Sequence, residues 1–310
     1  MSNSALVGTG PNSPLRTRKL RLVEWALNKF FLFCALLSVV TTAAVIVILA
    51  VETISFFDEV SPIDFLFGTR WTPLLEPKHY GILPLLSGTF LIVVGSSLVA
   101  LPIGVACAVY LSEYAGDRTR SVVKPVLEVL AGIPTVVYGY FALTAVTPAL
   151  RAVFPETQIF NAASAAIVVG IMVLPMVASL CDDALRSVPD SLRQGAYSLG
   201  ATSFEVSSRV VIPAALSGIF AAFVLAVSRA IGETMAVTLA AGATPNLTLN
   251  PLESIQTMTA YIVQVSLGDT PAGELTYKTL FAVAAVLFTL TLVLNLIASK
   301  VMSKYQEVYE

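Results

Sequence analysis

Residues 190–213 read DSLRQGAYSLGATSFEVSSRVVIP, a polar stretch set between two long apolar runs. Its ingredients describe two short helices with a turn between them. Pro189 and Asp190 can open the first helix, with Asp190 as N-cap. Gly200 suits the C′ position, where a left-handed residue ends a helix. From Ser203 polar and apolar residues alternate with helical spacing, and Pro213 falls in the first turn of the apolar helix that follows. A short amphipathic helix held off a membrane by a glycine hinge offers a rigid knob to a soluble partner. The competing reading is an interfacial helix lying on lipid, and the pattern alone leaves both open.

Outward from this loop the chain is mostly apolar. It has 310 residues, 56% hydrophobic and 12% charged, where soluble domains run at about 45–50% and roughly 25%. Raising one fraction while halving the other points to lipid as the solvent. Six apolar runs are expected to be transmembrane helices: Phe30–Val51, Leu85–Tyr110, Pro125–Thr147, Ile159–Leu180, Ala214–Ala241 and Leu280–Met302. A span needs about 20 residues. The first run, at 22 residues, exceeds the h-region of about 7–15 in a cleavable signal and is read as a retained helix. The expected fold is an all-α integral membrane protein. A tail covers residues 1–29, a single permease-like membrane domain 30–302 with its polar loop at 181–213, and a second tail 303–310.

Orientation follows from Lys and Arg in the connecting segments. Thirteen fall on the side of the two tails and the second and fourth loops, among them Arg16, Arg18, Lys19, Arg21, Arg120, Lys124 and Arg193. Four fall on the other side: Arg70, Lys78, Arg151 and Lys278. Both termini are therefore expected in the cytoplasm. The outer segments 52–80, with Trp71 and three prolines, and 246–278 look like small ordered caps.

Soluble-enzyme signatures are missing. There is no Gly-Lys dipeptide and so no Walker A loop, no GxSxG and no HExxH. Cys34, Cys107 and Cys181 are far apart, and His79 is the only histidine. No catalytic residue, metal site or nucleic-acid surface is expected, and any ATP-driven work needs another chain to hydrolyse the ATP.

Two intramembrane features carry chemistry. Arg229 and Glu233, in SRAIGETMAVT, are four residues apart and would share one helical face. A charge at a helix centre costs about 2.5–3.5 kcal/mol on insertion scales, and Arg before Glu is the weaker order for helix stability. The pair is read either as a structural ion pair or as part of an anion pathway that Arg229 faces, with Glu233 holding or tuning Arg229. The second feature is the break at Gly132-Ile133-Pro134 in the third run. A half-helix starting there presents free N–H groups and a positive dipole end, with Thr135 and Tyr138 adding hydroxyl donors. A kink without a ligand is the alternative. Glu128, near the inner interface, is read as a gate residue or as a wet helix end.

The loop also resembles the EAA motif of ABC importer permeases. Gln194-Gly195-Ala196, then Gly200, then Val210, Ile212 and Pro213 match its spacing, with Gln194 in place of the Glu and Gly195 in place of the first Ala. YGILPLLSGTF at 80–90, PIGVACAVYLSEYA at 102–115, LEVLAGIPTVVYGYF at 127–141 and SRAIGETMAVT at 228–238 resemble the permease of phosphate-specific ABC importers, the PstC type, with a type I importer fold. The resemblance implies a multi-pass inner-membrane subunit working with a sister permease, two ATPase subunits that bind ATP and magnesium, and an extracytoplasmic phosphate-binding protein. It implies no cofactor on this chain, docking through 190–213, and charged pathway residues at Arg229 and Glu233. Competing readings are a permease for another oxyanion or small solute, a secondary transporter, which would normally need an inverted repeat, and a membrane anchor, which has no need for Arg229.

Overall fold

The computed structural model of the protein describes residues 14–271 and 273–305. Residues 1–13 and 306–310, parts of the two expected tails, lie outside the described residues. The chain divides into two compact units, 1–51 and 52–310.

The first unit holds most of α1 (Pro14–Phe57). Helical geometry takes in residues 14–29, which the sequence reading left as a tail. No Gly or Pro follows Pro14 in that stretch, so nothing interrupts a helix that Pro itself can open. The apolar part, Val23–Phe57, is 35 residues long.

The second unit begins with the end of α1. Next come α2 (Pro62–Phe67), α3 (Leu83–Val109) with a π-turn at Tyr110–Tyr114, and α4 (Asp117–Ala131). The chain continues as α5 (Thr135–Phe141), a π-turn at Ala142–Val146 and α6 (Thr147–Val153), then α7 (Ala162–Arg186). After α8 (Asp190–Ser198) and α9 (Ser203–Val206), α10 (Ile212–Ala214) follows a third π-turn at Ser207–Val211. The last elements are α11 (Leu216–Ile231), α12 (Met235–Ala241), α13 (Met258–Leu267) and α14 (Leu275–Tyr305). Among the described residues five helices are long and apolar enough to cross a membrane, and a sixth span results if the pair Ser203–Ala214 and Leu216–Ile231, bent by 69°, is counted as one.

Two of the expected runs need correction. The third span starts at Thr135 rather than Pro125, because α4 is a separate amphipathic helix that ends at Gly132. Its Leu127 is buried against Leu111 and Ala178 while Val122, Val126 and Val129 are exposed. The fifth run is not one helix. It bends at Ala215, so Pro213 closes the preceding segment rather than opening the span, and it breaks again at 232–234 between α11 and α12.

The core is centred on α3 against α7. Small residues let the two backbones approach closely, the usual device where lipid offers no hydrophobic drive between helices. A Cβ on Gly104 would lie 2.6 Å from Val177 Cγ1, and one on Gly170 2.7 Å from Val99 Cβ. Gly218 does the same for α11, where a Cβ would meet Ala184 Cβ at 2.5 Å.

The segments 52–80 and 246–278 fold together as one cap. Phe56, Phe65, Trp71 and Tyr261 form a chain of edge-on rings with centroids 5.4, 6.2 and 4.9 Å apart, geometry favoured by the ring quadrupoles. Tyr261, buried on α13, shares a 2.6 Å hydrogen bond with Thr279 on α14. The second segment thus contains a packed apolar helix, which its loop-like composition had concealed.

Candidate functional site

Arg229 and Glu233 do not share a helical face. α11 ends at Ile231, Gly232 closes it, and Glu233 stands in the break before α12. The Glu233 carboxylate accepts from the Ala236 backbone N–H at 3.2 Å, so it caps the half-helix that follows, where a negative charge is favoured. The Glu233 backbone carbonyl accepts from Thr259 Oγ1 at 2.8 Å, which fastens the break to the first turn of α13. Glu233 is buried.

Arg229 is different. It sits in the last turn of α11 with its side chain exposed, and among the described residues no hydrogen bond or ion pair holds its guanidinium. It lies thirteen residues past Leu216, about 20 Å along the helix at 1.5 Å per residue, where the hydrocarbon is ~30 Å thick. A charge at that depth needs a partner, and none of the described residues supplies one.

The break at Gly132–Pro134 is present, and it separates α4 from the span. α5 packs on α12: a Cβ on Gly139 would be 2.9 Å from Leu239 Cβ and 3.1 Å from Ala236 Cα. Thr135 is therefore about one turn from a helix whose own start is the Glu233 break. Tyr138 is not a free donor, since its buried hydroxyl donates to the Leu130 carbonyl at 2.9 Å and stitches across the break. Glu128 is exposed on α4, lining a cleft of about 260 Å³ with Lys124 and Asp182.

The loop at 190–213 carries a well-defined turn. The Gly200 N–H donates to the Tyr197 carbonyl at 3.0 Å and the Ala201 N–H to the Ala196 carbonyl at 3.2 Å, with Gly200 at φ +85°: a Schellman cap. α9 opens with a capping box of Thr202 and Glu205. The expected Asp190 cap is not formed. Pro189 stands at the cap position, and Asp190 is the first helical residue, its carboxylate accepting from Arg193 Nη1 at 3.2 Å. Ala196 packs against the core while Gln194 and Gly195 are exposed. Leu199 and Phe204 project, 89% and 71% exposed. Ile212 packs on the core and Pro213 is exposed.

Two buried charge clusters were not found from the sequence. Asp182, its side chain only 2% exposed, takes Arg120 Nη2 at 2.7 Å and Arg186 Nε at 3.5 Å, which fixes α4 to the end of α7. Glu113, in the π-turn after α3, takes Arg193 Nη2 at 3.1 Å. The available signal was an acid in the last turns of each apolar run, which requires a base from a loop.

A span broken at a buried acid, an arginine at depth with no partner among the described residues and a rigid polar loop define a polytopic helical membrane protein built as a transport permease. The chain belongs to the binding-protein-dependent transport system inner membrane component family, whose profile matches residues 100–304. It is 35% identical over 260 residues to a probable ABC transporter permease protein, YqgH, of Bacillus subtilis, covering 83% of this chain and 84% of that one. It is 31% identical over 299 residues to the phosphate transport system permease protein PstC of Haemophilus influenzae, covering 88% and 91%. A PstC of Mesorhizobium japonicum is also 31% identical, with 76% of each chain covered. Among solved structures, a bacterial alginate ABC transporter in complex with its alginate-bound periplasmic protein matches with TM-score 0.65 at 16% identity, covering 90% of this chain and 94% of that one. The MetNI methionine ABC transporter in an inward-facing conformation matches with TM-score 0.55 at 16% identity, covering 73% and 95%. This is a multi-pass inner-membrane permease subunit of an ABC importer. Its context is a set of partner ATPase subunits, where ATP acts, and a substrate-binding protein.

Proposed function

We propose that this subunit forms, with a sister permease, the translocation pathway for inorganic phosphate, received from an extracytoplasmic phosphate-binding protein. Arg229 carries the reading. An exposed guanidinium deep in a span, with no acid among the described residues paired to it, suits a mobile anion. The start of α5 presents a positive backbone dipole end. Similarity to proteins named as phosphate permeases supports the choice of anion. The pathway must hold its ion loosely enough to release it.

In this reading there are six spans and both termini are cytoplasmic, in keeping with the thirteen-to-four distribution of Lys and Arg. The loop 181–213 docks one of the ATPase subunits, with Gln194, Gly195, Leu199 and Phe204 on its free surface. Closure of the ATPases moves α8 and α9, and the bend at Ala215 turns that movement into rocking of α11, which alternates the exposure of Arg229. Thr135 and Glu128 are assigned a pathway and an inner-gate position, both secondary to Arg229.

The test is uptake of radiolabelled phosphate by the reconstituted complex carrying Arg229→Gln, with ATP hydrolysis measured in the same vesicles. The expected result is lost uptake with assembly and hydrolysis retained. Normal uptake would remove Arg229 from the pathway.

A further inference from the structure

We infer that Glu113 and Arg193 form a joint that carries displacement of α8 directly into α3, making both of them positioning residues for coupling. This rests on the reading of 190–213 as the docking loop. Arg193 lies on α8 but turns back from its free surface, and its side chain is only 15% exposed. One guanidinium serves three elements. Nη2 and Nε reach the two oxygens of Glu113 at 3.1 and 3.5 Å. Nη2 and Nη1 also donate to the Leu185 carbonyl in the last turn of α7 and the Val188 carbonyl just after it, at 2.9 and 2.6 Å. Glu113 is 6% exposed and is oriented by Ser112 Oγ, which donates to it at 2.9 Å.

A planar two-pronged contact fixes orientation as well as distance, unlike a point charge such as lysine. With both carbonyls engaged, α8 cannot swivel on the contact and must carry the end of α3 with it. The covalent route from α8 to the following span, α11, is softer. It passes the Gly200 turn, where a side chain would meet no atom within 4 Å, and the 69° bend at Ala215. A buried ion pair adds little net stability, because desolvation offsets attraction, so holding geometry is the better account of this one. The π-turn at Tyr110–Tyr114 that presents Glu113 is a form often found at functional sites.

Glu113→Gln and Glu113→Ala leave Arg193 with both carbonyls and Asp190, so α8 stays folded. In the complete reconstituted complex the ATPase subunits should co-purify and ATP hydrolysis persist. Phosphate taken up per ATP should fall about fivefold or more, the low end of ordinary coupling between sites, with Gln milder than Ala and Arg193→Lys impaired despite its charge. An unchanged ratio, or uptake and hydrolysis falling in parallel, overturns the joint. A solute-independent readout is the ATP-driven distance change between spin labels at Leu98→Cys in α3 and Leu296→Cys in α14, both exposed, with the native cysteines replaced. Glu113→Ala should abolish it, and its persistence overturns the joint even if phosphate is not the solute. Leu199→Asp separates this inference from the docking reading. If the ATPase subunits stay attached, docking through this loop fails. If they are released while Glu113→Ala couples normally, docking stands and the joint alone is refuted.

Discussion

Replacing Gly200 tests whether the loop's function depends on the conformation of one residue. Gly200 has φ +85°, which costs an L-residue roughly 1–2 kcal/mol. Nothing lies within 4 Å of where its Cβ would be, so no steric term is added and the whole effect is conformational. A helix the length of α8, nine residues, is marginal by itself and has little reserve against that penalty. One to two kcal/mol corresponds to about a 5–30-fold change in an equilibrium. Gly200→Val should therefore weaken binding of the purified permease to its ATPase subunits by about that factor, read in a titration against immobilised permease. Gly200→Asn should stay near wild type, because Asn tolerates the left-handed region. Two results would refute the reasoning. If Val binds as tightly as Gly, the turn is not limiting. If Asn is as damaging as Val, the glycine is needed for contact with the partner, not for its φ.

Gly104→Val should lower the midpoint of thermal unfolding in detergent, since its side chain must displace Val177 from 2.6 Å at a cost of about 1–3 kcal/mol; Gly116→Val, with open space around it, should leave the midpoint unchanged. Asp182→Asn should be far more damaging than Asp183→Asn. The first strips the charge from a buried partner of Arg120, about 3–5 kcal/mol when a buried pair is broken, whereas the second removes a 60% exposed acid worth under about 1 kcal/mol. Limited tryptic proteolysis after Arg118 and Arg120 would report α4 coming loose in the first variant only.

Sequence by itself determined the solvent, the helical class and the kind of loop that links the fourth and fifth apolar runs. Those follow from local quantities: the length of apolar runs against bilayer thickness, and the intolerance of non-glycine residues for positive φ at Gly200. The family was legible for the same reason, since close-range motifs such as SRAIGETMAVT are continuous in the chain. Tertiary structure decided what happens at each break. Arg229 and Glu233 look like one helical face as long as the helix is assumed to continue; it stops at Ile231, and Glu233 caps α12 through Ala236. α4 leaves the third span because Leu127 finds Leu111 and Ala178, and Arg120 finds Asp182 across 62 residues. Tyr138 gave up its role as a donor to a carbonyl eight residues behind it. The Glu113–Arg193 contact joins residues 80 apart. Periodicity carries no record of such pairings, because which buried acid meets which loop base is fixed only when the helices have packed.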